Sequence, residues 1–187
     1  MDIVTTDAFV RTPDKPDRRW YDGQDWPAGD QRVAIIERNF VFGSAVIRRA
    51  TFDRVGGFTL GLPHDGEYEA WVRIIGAGGR AALVPEPLYV YHVGGSGLSG
   101  NRSGTYQTIL AVLDRAEGRY GDDVDDAIRS RRRQVTVQLA RAEGVEAVRR
   151  GDRLACLRLA ALSPLDLGMR LRLGAAAAAP RLAARRL

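Results

Sequence analysis

The sequence predicts an α/β domain over residues 1–100 and an all-helical extension over residues 101–187. In the first part, short apolar segments with strand-like alternation surround one amphipathic helix. A segment with five glycines and three serines follows between Gly94 and Gly104. Beyond it, apolar residues recur with the spacing of a helix. These three observations place the boundary between the two regions near residue 100.

The composition is that of one ordinary folded domain with appended elements. The chain has 187 residues, of which 45% are hydrophobic and 27% are charged. Cys156 is the single cysteine, which excludes an intrachain disulfide framework and a cysteine-based structural zinc site. No apolar run is long enough to predict a membrane span, and the N-terminus lacks the pattern of a secretory signal peptide. We therefore expect a cytoplasmic protein.

The positive charge is concentrated near the C-terminus. Lys and Arg number 28 against 23 Asp and Glu, a net charge of +5. The tail from Leu165 to Leu187 holds five arginines and one aspartate and so carries +4. The near-neutral remainder predicts no nucleic-acid partner. The tail is either a solvated helix interrupted by Gly174 and Pro180, or a segment that lies peripherally on the anionic inner face of the membrane.

The first elements of the predicted domain are strands joined by a long loop. Residues 1–10 predict a strand, and the polar loop from Arg11 to Gln31 has the length of a binding loop or lid. An apolar run over residues 39–48 carries Gly43 and Ser44 at its centre. A glycine within a strand indicates either a packing bulge or a place where a ligand approaches the backbone.

The best-defined helix of the first part follows a short helix predicted at Thr51–Val55. Its apolar face has the spacing i, i+3, i+4, i+7 and consists of Tyr68, Trp71, Val72 and Ile75. Asp65 is the expected N-cap, and Gly78 ends the helix. Two short strands, RAALV and LYVYHV, follow, separated by a turn at Pro85-Glu86-Pro87.

Four helical segments are predicted after the boundary. Their apolar positions lie within residues 109–120, 124–139, 144–162 and from 165 onward. Gly151 and Asp152 are expected to divide the third segment into a helical hairpin. Small residues at close helical spacing favour tightly packed antiparallel pairs.

Three acidic residues cluster at the start of the tryptophan-bearing helix. They are Asp65, Glu67 and Glu69, and His64 comes just before them. Acidic side chains in a first helical turn stabilise the helix dipole, which is one interpretation of the cluster. The other is a general base, because a carboxylate at the rim of a glycine-rich loop can accept a proton from an incoming hydroxyl group.

His92 is a second candidate for chemistry. It precedes the GGSG segment, where an imidazole can bind a phosphate or a metal ion. A single histidine is equally compatible with a partly buried residue that only donates a hydrogen bond, because metal sites need convergent ligands. The P-loop, GxSxG and HExxH patterns do not occur in the sequence.

In order along the chain, several segments together resemble one known family. They are DIVTTDAF, ERNFVFGSAVIRRATFDRVGGF, GEYEAWVRIIGAGGRAALVPEPLYVYHV and GLS. This succession resembles the second half of the catalytic domain of family 2 glycosyltransferases, which have the GT-A fold. The resemblance covers residues 1–100 and implies a partial GT-A, Rossmann-like sheet with flanking helices.

The resemblance also implies an activity and a set of site residues. Such enzymes transfer a sugar from a nucleotide-diphospho-sugar to an acceptor hydroxyl with inversion, aided by Mg²⁺ or Mn²⁺. Their base is an Asp in a Glu-Asp pair on the tryptophan-bearing helix; Glu67 stands at the Asp position and Gly66 at the Glu position. Asp65 is the alternative base, and His92 is the candidate on the metal side. The residues expected to bind substrate are Gly43, Ser44, His64 and Trp71.

The resemblance finally implies that the donor-binding half, with its Asp-x-Asp metal motif, precedes residue 1. The chain is then expected to be an acceptor-side fragment that is inactive alone, with a carbohydrate or a lipid-linked acceptor as its partner. The sheet edge that the missing strands would cover favours self-association. The alternative function is a non-catalytic interaction or scaffold protein derived from a glycosyltransferase.

Overall fold

The computed structural model describes residues 1–13, 15–62, 66–93 and 101–178. Within these ranges the chain is a mixed α/β protein with a four-stranded sheet and seven helices, which confirms the α/β class and the helical character of the extension. The elements in chain order are β1 (Ile3–Arg11), β2 (Arg18–Arg19), α1 (Gln31–Glu37), β3 (Ala45–Ile47), α2 (Arg49–Arg54), α3 (Gly66–Gly76), β4 (Ala81–His92), α4 (Arg102–Ala116), α5 (Asp122–Arg150), α6 (Arg153–Leu162) and α7 (Leu167–Ala178).

Strand β1 is the centre of the sheet. Strand β4 pairs with it in parallel along its whole length, from Ile3 opposite Ala81 to Arg11 opposite His92. Strands β3 and β2 pair antiparallel with the first and last thirds of β1. Because β4 occupies one edge of β1, β2 and β3 share the other edge and leave a gap between them.

The turn predicted at Pro85-Glu86-Pro87 is absent, and β4 runs through this segment as one strand. The register with β1 shifts on either side of Asp7, which lies opposite Pro87. A proline has no N–H to donate, so a strand accommodates it where the hydrogen-bond ladder is already interrupted. The prolines therefore produce a bulge in β4 instead of a reversal of the chain.

The main hydrophobic core lies between the sheet and helices α1, α3, α4 and the start of α5. Helix α3 contributes the face that the sequence predicts, since Tyr68, Trp71, Val72 and Ile75 are all buried. The core includes Leu113 of α4 and Ile128 of α5, both fully buried. The first turns of the helical extension therefore pack on the α/β part. The division of the chain at residue 100 stays a prediction.

A second, smaller core joins the last part of α5 to α6 and α7. Its buried members are mostly small: Ala140, Ala147, Val148, Cys156, Leu165, Leu173, Ala176 and Ala177. Helix α5 is continuous through Gly144, where the sequence predicted the start of a new helix. The break occurs at Gly151, which adopts a left-handed conformation with φ of 66° and donates its N–H to carbonyls of the last turn.

None of the helices in the described parts of the chain combines the length and the apolarity needed to cross a bilayer.

Candidate functional site

Gly43 and Ser44 lie where the chain enters β3, beside the centre of the sheet. The hydroxyl groups of Ser44 and Thr6 are 3.0 Å apart, so Ser44 is fixed against β1. Gly43 is exposed and Ser44 is half-buried. Tyr21 fixes the backbone just before this segment. Its hydroxyl donates to the carbonyl of Phe40 and accepts from the N–H of Phe42.

Glu67 extends from the first turn of α3 towards this same segment. A methyl group built on Gly43 would lie 3.8 Å from Oε1 of Glu67, which is ordinary van der Waals contact. Glu67 is half-buried, and no described residue donates a hydrogen bond to its carboxylate. The fold thus brings together two of the predicted site elements, Glu67 and the Gly43-Ser44 pair. The predicted residues His64 and Asp65 lie outside the described residues.

Glu69 has a different environment, although it is only two residues further along α3. Its side chain is buried, and its carboxylate accepts from the hydroxyl of Thr59 at 2.8 Å and from Nε of Arg73 at 2.7 Å. Arg73 also donates to the backbone carbonyls of Val55 and Gly57. Glu69 and Arg73 therefore anchor the segment after α2 to α3, and the lone pairs of Glu69 are occupied by structural hydrogen bonds.

Trp71, predicted to bind substrate, is 3% exposed and belongs to the main core. It follows Glu67 by one helical turn, so the two residues are neighbours along α3. The indole Nε1 is buried and has no hydrogen-bond partner among the described residues. The ring packs α3 against the main core.

His92 lies at the other end of the sheet. It pairs in register with Arg11, whereas Ser44 contacts Thr6, and five residues of strand amount to about 16 Å. His92 lines an open groove of about 590 Å³ that also contains Arg11, Lys15 and Asp17. The hydrogen bond from Arg11 holds the pKa of Asp17 below its usual value, with smaller contributions from the charges of Arg11 and His92. The fold therefore separates His92 from Glu67.

The residues in the described ranges do not form a metal site. No three His, Cys, Asp or Glu side chains among them come close enough to hold an ion. Asp17, the carboxylate beside His92, already accepts two hydrogen bonds from Nε and Nη2 of Arg11. The divalent ion implied by the family resemblance stays a prediction, since its Asp-x-Asp motif is expected before residue 1.

Asp7 is a buried carboxylate that the sequence analysis did not single out. Its side chain is 3% exposed and lies in the gap between β3 and β2. Oδ1 accepts from the backbone N–H groups of Ala8 and Tyr21, and Oδ2 accepts from Nε of Arg19 at 2.7 Å. Arg19 also donates to the carbonyl of Pro85 in the bulge of β4. In the sequence, the only sign of this role was an aspartate within an apolar strand pattern. In the structure, the hydrogen bonds of Asp7 link β1 to the segment around β2.

Of the acidic side chains near the Gly43-Ser44 segment, Glu67 alone among the described residues combines partial burial with an unoccupied carboxylate. Such a group can accept a proton from a hydroxyl that enters beside Gly43.

Comparison of the chain with protein families, with curated proteins and with solved structures finds no match in any of the three.

Proposed function

We propose that residues 1–100 form the acceptor-side half of an inverting glycosyltransferase similar to family 2, with a partial GT-A sheet and with Glu67 as the general base. The observation that carries the proposal is the position of the Glu67 carboxylate against Gly43. The ordered resemblance of the sequence segments supports the substrate class, a nucleotide-diphospho-sugar donor and a carbohydrate or lipid-linked acceptor.

The contrast between two glutamates of α3 supports the choice of base. A general base needs a lone pair that can accept the proton of the reacting hydroxyl. In Glu69 these lone pairs accept from Thr59 and Arg73. In Glu67 they are free of hydrogen bonds from the described residues, and the carboxylate is only partly shielded from solvent. Glu67 is therefore the carboxylate of this helix that is able to take part in proton transfer.

The absence of a side chain at Gly43 supports the same location for the acceptor. A hydroxyl that loses its proton must come within about 3 Å of the base. Gly43 is exposed and leaves open the surface beside Oε1 of Glu67, where a larger side chain would compete with the acceptor. Ser44, fixed by its contact with Thr6, borders this surface with a hydroxyl group suited to hydrogen bonding with a sugar.

The test compares Glu67→Gln with Glu143→Gln, the same change at a half-buried glutamate on α5. Sugar transfer is assayed with a panel of nucleotide sugars and saccharide acceptors, using the chain together with any in-frame sequence encoded upstream of residue 1. Glu67→Gln is expected to lower turnover by about 100- to 10,000-fold, because general base catalysis contributes that much. Acceptor binding, followed by ligand-observed NMR, is expected to persist in both variants.

Turnover that survives in Glu67→Gln contradicts the assignment of the base. Loss of acceptor binding together with turnover shows a role in binding instead of proton transfer. The Glu143→Gln variant retains both activities if the effect is local to the proposed site.

The second candidate function is a non-catalytic interaction protein. It is favoured by the exposed leucines of α6 and α7, which include Leu154 and Leu167 and which no described residue covers. Calorimetry with nucleotide sugars in the presence of Mn²⁺ separates the two functions. The absence of heat with every donor, combined with no binding of saccharides, supports the interaction protein.

A further inference from the structure

Four of the six exposed residues of α6 are apolar. Leu154 and Leu162 are 81% and 78% exposed, and Leu157 and Ala161 are exposed as well. Leu154, Leu157 and Ala161 are spaced i, i+3, i+7 and therefore lie along one face of the helix. The opposite side carries Cys156, which packs in the second core. A surface helix of a globular protein ordinarily presents polar residues at these outward positions.

The outward face of α7 is apolar along its whole length. Leu167 and Leu171 are 71% and 65% exposed, and Ala175 and Ala178 continue the same stripe at i+8 and i+11. Leu173, on the opposite side of the helix, is buried in the second core. Helices α6 and α7 pack closely on each other, so the two exposed stripes belong to neighbouring helices. These two stripes, Leu154–Leu162 and Leu167–Ala178, are called the leucine face below.

Arginines border the leucine face. Arg158 of α6 and Arg172 of α7 are exposed, lie beside the stripes, and form no ion pair with any described residue. Between residues 149 and 178 there are six arginines and two aspartates, a net charge of +4. Both aspartates are engaged: Asp152 caps α6 through the N–H of Ala155, and Asp166 pairs with Arg141. The field around the leucine face is therefore positive.

We propose that the leucine face binds the surface of an anionic phospholipid bilayer, with α6 and α7 lying in the plane of the interface. Exposed apolar side chains bordered by arginines match the two properties of such a surface, its acyl boundary and its negative headgroups. At 10 and 12 residues the helices are about 15 and 18 Å long, too short to cross a hydrocarbon core of about 30 Å. The binding is therefore parallel to the membrane, and it is independent of the proposed transferase activity.

The charge also argues against a second copy of the chain as the occupant. A symmetric contact through the leucine face would bring the bordering arginines of both copies together. Like charges across an interface oppose association. An anionic bilayer instead neutralises these arginines.

The test measures flotation of the full chain with vesicles of phosphatidylcholine and with vesicles that contain about 30 mol% phosphatidylglycerol. Binding to the anionic vesicles is expected to be at least about tenfold stronger and to weaken at high salt, because exposed charges are screened. The double variant Leu154→Ser/Leu171→Ser is expected to lower binding by about tenfold or more, since the apolar side chains enter the interface. Leu60→Ser is the matched control, because Leu60 is 92% exposed and lies outside the leucine face.

A second variant, Arg158→Gln/Arg172→Gln, tests the charge and is expected to remove much of the preference for anionic vesicles. Circular dichroism confirms that each variant folds. The proposal is overturned if the wild-type chain binds neither kind of vesicle. It is overturned as well if the leucine variant binds anionic vesicles as strongly as the wild type. It is also overturned if light scattering shows a dimer that the leucine variants dissociate in the absence of lipid, since a second copy then covers the face.

Discussion

The two hydrophobic cores of this chain differ in the size of the side chains that they mostly bury. In the main core, large side chains such as those of Phe40, Trp71 and Leu113 are buried. In the second core, which joins the last part of α5 to α6 and α7, alanines fill much of the interior. The leucines at positions 154, 157, 162, 167 and 171 lie outside.

This difference separates folding from recognition. An apolar side chain stabilises the folded chain only to the extent that folding removes it from water. The buried residues of the main core meet this condition, whereas the exposed leucines of α6 and α7 contribute little to folding in the isolated chain. The exposed leucines of α6 and α7 are therefore available for the membrane binding proposed above.

The largest expected effect comes from making the same substitution in both regions. Leu113→Ala, in the main core, is expected to lower the free energy of unfolding by about 2–5 kcal/mol, because it removes a fully buried side chain and leaves a cavity. Leu171→Ala, on the leucine face, is expected to change it by less than about 0.5 kcal/mol. Urea denaturation followed by circular dichroism measures both values.

Equal destabilisation by the two substitutions would break the comparison, because it would show that Leu171 is buried in solution. Native-state light scattering at the same concentration then distinguishes burial within the chain from burial between copies. The circular dichroism spectrum before unfolding controls for a loss of helix.

The next effect concerns the response of the main core to alkaline pH. Burial raises the pKa of Tyr68 to about 12, and its hydroxyl donates to the carbonyl of Ile35. Since a tyrosine in the unfolded chain has a pKa of about 10, the stabilising contribution is complete below pH 10 and is lost as the pH rises towards 12. The loss amounts to about 2–3 kcal/mol for a shift of this size.

Tyr68→Phe removes this titration. The variant is expected to be less stable than the wild type at pH 8 by about 0.5–1.5 kcal/mol, because it lacks the hydrogen bond to Ile35. The deficit is expected to shrink or reverse by pH 11, where the wild type has begun to lose stability. Urea midpoints at the two pH values measure the change, and a deficit that stays constant contradicts the assignment.

The parts of the fold that could be predicted from the sequence are those set by local periodicity. Helix α3 has an unbroken apolar face, and its burial followed from the spacing of Tyr68, Trp71, Val72 and Ile75. Gly144 was predicted to begin a new helix, whereas α5 runs through it without a break. A Cβ at this position would lie 3.2 Å from Cδ2 of Leu173, so the close approach of α7 accounts for the glycine.

The candidate site depended on contacts that the sequence does not encode locally. The proximity of Glu67 to Gly43 joins residues 24 positions apart, and only the family resemblance suggested it. The bonds of Asp7 require β2 to lie beside β1, and the two-residue strand has no pattern of its own. His92 was expected on the metal side of the site. The register of β4 against β1 instead places it beside Arg11, about five residues of strand away from the contact of Ser44 with Thr6.

A smaller effect is expected from a glycine of the first region. Gly79 follows α3, and a Cβ there would lie 2.6 Å from the carbonyl oxygen of Ile74, which is backbone and cannot move aside freely. Gly79→Ala is therefore expected to lower the free energy of unfolding by about 1–3 kcal/mol. Thermal denaturation is a sufficient measurement, and an unchanged melting temperature would show that the end of α3 is loosely packed.

The smallest effect lies within the second region. There the substitution of alanine for each of two glycines is expected to change the free energy of unfolding in opposite directions. Gly174 is inside α7, and a Cβ there meets no atom within 4 Å, so Gly174→Ala is expected to stabilise the chain by about 0.5–1 kcal/mol through helix propensity. Gly151 has a φ of 66°, which an alanine adopts at a cost of about 1 kcal/mol, so Gly151→Ala is expected to destabilise it. Chemical denaturation of the two variants measures this pair. Stabilisation by Gly151→Ala would mean that α5 and α6 join into one helix in solution, which would remove the turn that sets the position of the leucine face.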